Sequence, residues 1–141
     1  MARLEPTASE ATDVFWEATR EQRYLVQWCT SCSTPVFYPR EVCPSCLTSD
    51  GLEWKPSNGT GVVYAVSVQY RPGNPTMSDQ VPYVVALIEL DAGADAATIR
   101  VMSNVVNCEP GRVRVGDHVN LVWEPLSDGR RLPLFELAAS R

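Results

Sequence analysis

Two cysteine pairs carry the clearest chemical signal in this chain. Cys29-Thr30-Ser31-Cys32 and Cys43-Pro44-Ser45-Cys46 stand ten residues apart. Each Cys-X-X-Cys turn sets two thiolates on one side of the backbone. Two such turns facing each other supply four sulfurs at the corners of a tetrahedron, the closed coordination of a structural Zn²⁺ site. The spacing predicts a zinc ribbon with Cys29, Cys32, Cys43 and Cys46 as its ligands. Four cysteines leave no open position for water or substrate, so the metal is expected to build structure and not to catalyse. Other uses of the same residues stay open: an iron centre takes four thiolates at the same spacing, and a disulfide framework or a dithiol redox pair needs no metal. The N-terminal stretch carries Arg3, Glu5, Glu10 and Asp13 and has no apolar run. It is therefore not a signal peptide, and reduced thiols in the cytoplasm are expected. Pro44 and its Thr and Ser neighbours read as turns, not as the helix start that a redox pair occupies.

Other reactive side chains are few. His118 is the single histidine, in Gly116-Asp117-His118-Val119, and no nucleophile motif accompanies it. Cys108 is the odd cysteine; Glu109 beside it disfavours a thiolate, and a buried, unreactive thiol is expected. Lys55 reads as exposed at the ribbon exit, which does not suit a Schiff-base lysine. Glu89-Leu90-Asp91 holds the one close carboxylate pair on a strand, which a solvent-facing strand end explains. Gly59-Thr60-Gly61 lacks the lysine and following helix of a phosphate cradle.

The elements that position these residues follow from pattern. Residues 1–7 read as loose. Thr7-Ala8-Ser9-Glu10 has the form of a capping box, and Ala11, Val14, Phe15 and Ala18 recur at helical spacing, predicting an amphipathic helix over 8–22. Tyr24–Trp28, Pro35–Pro39 and Leu52–Trp54 read as short strands flanking the knuckles. The turn-forming run Pro56–Gly61 marks a boundary. Beyond it, Val62–Tyr70, Tyr83–Leu90, Thr98–Val106, Val119–Trp123 and Leu134–Leu137 read as five strands. The continuous apolar run of Tyr83–Leu90 is expected to be buried on both faces. Five strands in so short a length favour a closed barrel of the oligonucleotide/oligosaccharide-binding (OB) type, with a small sandwich as the other solution. The expected organisation is mainly β: an N-terminal helical segment over 1–23, a rubredoxin-like ribbon over 24–56 and a five-stranded OB barrel over 57–141. The longest unpatterned stretch, Arg71–Pro82, is a loop of the kind that carries function on small barrels.

Bulk properties narrow the partners. The 141 residues are 45% hydrophobic, enough for a real core, and the formal charge is −5. Thiolates around zinc make the balance more negative still. A nucleic-acid partner would need a cationic surface, although Tyr64, Tyr70 and Tyr83 could stack on bases. No stretch reaches the roughly 20 apolar residues of a membrane span. Trp16, Trp28, Phe37, Tyr38 and Trp54 exceed what a helix and a ribbon can bury on their own, so apolar surface is expected there, with Phe15 and Trp16 as candidate interface residues.

In this order, the pieces resemble a stand-alone member of the DUF35 family. The resemblance covers about residues 13–137. It rests on Phe15-Trp16, the two cysteine pairs, Pro39-Arg40, Leu52-Glu53-Trp54, Gly59–Tyr64, Pro82-Tyr83, Ala86–Asp91, Gly116–Val119 and Leu134-Phe135-Glu136. It departs from the family pattern where Ser33 and Leu47 replace the glycine that usually follows each pair, a position suited to positive φ. The resemblance implies a zinc ribbon joined to an OB barrel and an accessory role beside a thiolase-like catalytic subunit acting on acyl-CoA thioesters. Such complexes are hetero-oligomers, α2β2 among them, and the small unit also occurs fused to hydratases. A retro-aldolase cleaving steroid side-chain CoA esters is the first expectation, and an acyl-CoA thiolase is the second. In that picture no catalytic residue lies on this chain, while Arg71 and Arg100 are candidates, by position, for the phosphates of CoA. A single-stranded nucleic-acid module and a small hydrolase using His118 or Cys108 are the competing readings.

Overall fold

A computed structural model describes residues 4–139. A short helix α1 (Asp13–Thr19) precedes a three-stranded antiparallel sheet of β1 (Leu25–Cys29), β2 (Thr34–Val36) and β3 (Leu52–Pro56), in the order β2-β1-β3. Five further strands follow: β4 (Thr60–Gln69), β5 (Tyr83–Asp91), β6 (Thr98–Val106), β7 (His118–Pro125) and β8 (Arg131–Leu137). They form a closed barrel in the order β4-β5-β6-β8-β7. The fold is mainly β, with a cysteine-bearing ribbon ahead of a five-stranded barrel.

Burial alternates along the barrel strands, so one face of each fills the interior. Val84, Ala86, Ile88 and Leu90 of β5 point inward with Ile99, Val101 and Val105 of β6 and Phe135 of β8. The intervening β5 residues are half-exposed, so β5 is covered on one face only and not on both as its apolar run predicts. Its composition follows β propensity, which an outer barrel face tolerates.

The ribbon takes part in the barrel's core. Tyr24, just ahead of β1, and Val26 and Trp28 on it alternate along the chain and pack in the same cluster as Val63, Ile88 and Phe135. The Trp28 indole N–H donates to the Ala92 carbonyl at the β5–β6 turn, 2.7 Å away. Gln27, on the opposite side of β1, exchanges two hydrogen bonds of 2.8 Å with the backbone of Arg40 and so anchors the loop ahead of the second knuckle.

Two features of the N-terminal region differ from the sequence pattern. The helix is shorter than the predicted span. The Thr12 hydroxyl accepts from the Ser9 N–H and the Ser9 carbonyl from the Thr12 N–H, a local turn that competes with helix until Asp13. Thr12, not a residue of the Thr7–Glu10 run, is the N-cap, and Gln22 ends the segment at φ 59°. Nor is the stretch before the helix loose where it is described. Glu5 accepts from both the N–H and hydroxyl of Ser127, and the Arg130 guanidinium donates to the Pro6 carbonyl. The first three residues of the predicted loose run lie outside the described residues.

Candidate metal centre and the apolar cleft beside it

Local backbone requirements bring the four cysteines together. β1 ends at Cys29, in register with Leu52 of β3 and Thr34 of β2. The chain then reverses through Thr30–Ser33, held by a Thr30 N–H bond of 2.7 Å to the Gly51 carbonyl. The second knuckle closes on itself: the Leu47 N–H donates to the Cys43 carbonyl and the Cys43 N–H to the Thr48 carbonyl. Ser33 and Leu47, each following a pair, sit at φ 55° and 63°. This is the left-handed backbone that glycine adopts at no cost, so the glycine-site departures in the sequence fall on the two positions that need it.

All four Sγ atoms lie within 4.8 Å of one another. Cys29 and Cys46 are 3.6 Å apart, Cys32 and Cys43 3.9 Å. Four sulfurs each about 2.3 Å from a central tetrahedral Zn²⁺ are about 3.8 Å apart, so the cage fits that ion. Backbone N–H groups point at the sulfurs, from Cys32 to Cys29 and from Ser45 to Cys43, each at 3.4 Å. These amides favour thiolates. The thiols differ in their hold on a proton. The amides of Cys46 and Ser45 hold Cys43 down to about 6, while proton sharing with Cys46, aided by burial, pushes Cys32 up to about 12. A divalent ion at the centre removes this conflict, because every sulfur then has a positive neighbour. Cys29 and Cys43 are buried, and Cys46 faces solvent.

Beside the ribbon lies an apolar cleft of 340 Å³. Phe15 and Trp16 of α1, Tyr24 with Leu25–Gln27 of β1, Phe37–Pro39, Val101–Asn104 of β6 and Leu132–Leu134 of β8 line it, with Pro6 and Thr12. Phe15 stands edge-on to both Trp16 and Tyr24 at 5.0 Å. Tyr38 and Met102 are exposed at its rim, 60% and 64%. The aromatic surplus in the sequence signalled apolar surface here. The contribution of β6 and β8 had no sequence signal, because they are brought together only by barrel closure.

The remaining candidates separate. Arg100 lies on β6 with its guanidinium 3.7 Å from the Tyr64 ring centre and 3.5 Å from Glu89, so its charge is already engaged. Arg71 is exposed in the segment that follows β4. Lys55 is not the free residue its sequence position implies: it sits 4.5 Å over the Trp28 ring and 3.7 Å from Glu53. His118 opens β7 in a shallow concavity with Arg112, Arg114 and Asp117, and no serine, threonine or cysteine lines it. Cys108 is half-buried, and burial pushes its thiol above the ordinary range, which keeps it unreactive. Among the described residues, therefore, no nucleophile and base converge. No described helix is long and apolar enough to cross a membrane.

Two family models match in succession. The ChsH2 rubredoxin-like zinc ribbon domain covers residues 16–53, and the ChsH2 C-terminal OB-fold domain covers residues 54–124. The chain belongs to the ChsH2 (DUF35) family. A probable enoyl-CoA hydratase alpha subunit of Thermomonospora curvata is 34% identical over 127 residues, covering 89% of this chain and 37% of that protein. A DUF35 domain-containing scaffold protein of Methanothermobacter thermautotrophicus is 34% identical over 71% of each chain. The 3-oxo-4,17-pregnadiene-20-carboxyl-CoA hydratase alpha subunit of Mycobacterium tuberculosis is 24% identical over 90% of this chain and 38% of its own length. This ChsH2-type chain thus spans less than two fifths of the two hydratase subunits. Among solved structures, a chain of the Ltp2–ChsH2 (DUF35) aldolase superposes with TM-score 0.81 and 31% identity, over 96% of this chain and all of that one.

Proposed function

We propose that this chain is an accessory zinc-ribbon and OB-fold subunit of a thiolase-fold acyl-CoA enzyme, an aldolase that cleaves a carbon–carbon bond in a steroid side-chain CoA ester. Its likeness over almost its whole length to a chain of the Ltp2–ChsH2 (DUF35) aldolase carries the reading. The steroid acyl-CoA in the name of the M. tuberculosis relative supports the substrate class. A retro-aldol cleavage needs a base at the β-hydroxyl and donors at the developing enolate oxygen. Among the described residues no nucleophile and base converge, and the reading places the base and the donors on the larger subunit.

In this reading the four cysteines hold a structural Zn²⁺ that fixes β1, and with it the face presented to the partner. Phe15 and Trp16 belong to that face. Arg71, with an uncommitted guanidinium, is better placed than Arg100 to meet a CoA phosphate. The reading puts the complex in the cytoplasm, where thiols stay reduced. Co-expression with a thiolase-like subunit is the test. The two chains should co-elute as a hetero-oligomer, and the CoA ester should be cleaved only when both are present. A partner that is soluble and equally active alone overturns the proposal.

A second reading, a partner of an acyl-CoA thiolase, draws on the scaffold role in the name of the methanogen relative. Thiolysis consumes free CoA and retro-aldol cleavage does not, so omitting CoA from the assay separates the two.

A further inference from the structure

The barrel closes through a short seam, as in other partly open five-stranded barrels. β6 pairs with β5 from Thr98 to Val105, but with β8 only at Val105 and Val106, in parallel. The ladder ends at Phe135, and Pro133 stands two residues before it. Proline has no N–H to give, and its carbonyl takes the Ser103 hydroxyl at 2.9 Å instead of a backbone donor. From there toward Thr98 the outer edge of β6 has no strand beside it among the described residues. A free edge is a row of backbone donors and acceptors that another extended chain can satisfy. Natural barrels normally blunt such edges, yet here Met102, 64% exposed, stands on it.

The Val101–Asn104 part of the free edge runs along the apolar cleft. None of the residues lining that cleft is charged, in a chain of which 21% is charged. A charged segment entering it would lose hydration and find no counter-ion, whereas an uncharged apolar segment loses nothing. The volume of 340 Å³ accommodates one or two large side chains, not a folded domain.

We infer that the free edge of β6, from Thr98 to Asn104, is a strand-addition site where an extended, uncharged segment of the catalytic subunit pairs with the barrel and seats apolar side chains in the cleft between α1, β1 and β6. The inference rests on the proposed partnership and names where on this chain it is made. Backbone pairing holds the segment, and the pocket beneath Phe15 and Met102 selects its alternate side chains.

Hydrogen–deuterium exchange on the purified complex of the unaltered chain with its thiolase-like subunit tests it. Backbone amides within residues 98–104 should exchange at least tenfold more slowly in the complex than in the free chain. Met102→Glu, which sets a charge at the rim of an exposed position, should weaken assembly by at least about tenfold, the scale of a central interface residue. Tyr70→Glu, outside the cleft, should leave assembly unchanged. A complex that forms while amides 98–104 keep their free-chain rates overturns the strand-addition site and leaves the partnership standing. Full-strength assembly of Met102→Glu does the same. Failure of the two unaltered chains to associate at all overturns both.

Discussion

Leu47 holds a left-handed backbone, φ 63°, with its side chain 74% exposed. For an L-residue that conformation costs roughly 1–2 kcal/mol, partly offset by the extra freedom glycine would have when unfolded. Leu47→Gly is therefore expected to stabilise the zinc-loaded chain by about 0.5 kcal/mol, raising the thermal midpoint by a degree or two. A midpoint that stays or falls removes the strain argument. The cysteines give a sharper expectation. Replacing Cys43 with serine removes a buried ligand whose thiolate two amides favour. The purified variant should hold well under one zinc per chain by elemental analysis, and a full equivalent would show that four sulfurs are not required. At this scale the sequence was most legible. Ligand identity needs only residue type and spacing, and the two positions after the pairs were already the odd ones. Lys55 departs from the exposure its sequence position implies because its partner, Trp28, lies on a neighbouring strand.

At the scale of elements, strands were legible wherever alternation was strong, and boundaries were set by glycine and proline. The N-terminal tether was not. Glu5 meets Ser127 and Pro6 meets Arg130, pairs so distant along the chain that no local periodicity records them. Helix α1 is shorter than its pattern for a related reason: the hydroxyl–amide turn at Ser9–Thr12 falls inside the stretch that reads as helix and acts as its rival in space. The tether makes a pH prediction. The backbone N–H of Arg130, joined by its guanidinium, holds the Asp128 carboxyl below the usual aspartate range. A depressed folded pKa stabilises the chain above the unfolded value of about 3.9, and the contribution is lost as pH falls through that value toward the folded one. Limited proteolysis should release the N-terminal segment faster below pH 4 than at pH 7, and Asp128→Asn should flatten that difference. Within β1, Trp28→Phe leaves the Ala92 carbonyl without its donor and should cost about 1–3 kcal/mol in denaturant unfolding. A loss under 0.5 kcal/mol would mean that water replaces the indole.

For the whole molecule, β1 makes metal binding and barrel stability one quantity. Tyr24, Val26 and Trp28 fill the barrel's core while Cys29, the next residue of the strand, holds the ion cage. Chelation should therefore lower the unfolding midpoint of the entire chain in one transition, and the midpoint should rise with free zinc as ligand linkage requires. Two transitions, with the barrel's unmoved by chelator, would show the halves to be independent. The matched ribbon and barrel families meet between Glu53 and Trp54, in the middle of β3, a strand paired along its length with β1. The place where the two matched families meet is thus not a place where the object can be cut. A protein engineer who grafts this metal-bearing head onto a foreign barrel at that junction would sever a hydrogen-bonded ladder and deliver a tryptophan that the recipient's interior has no space or acceptor for. A workable transplant has to carry Trp28 and a matching Ala92 turn together.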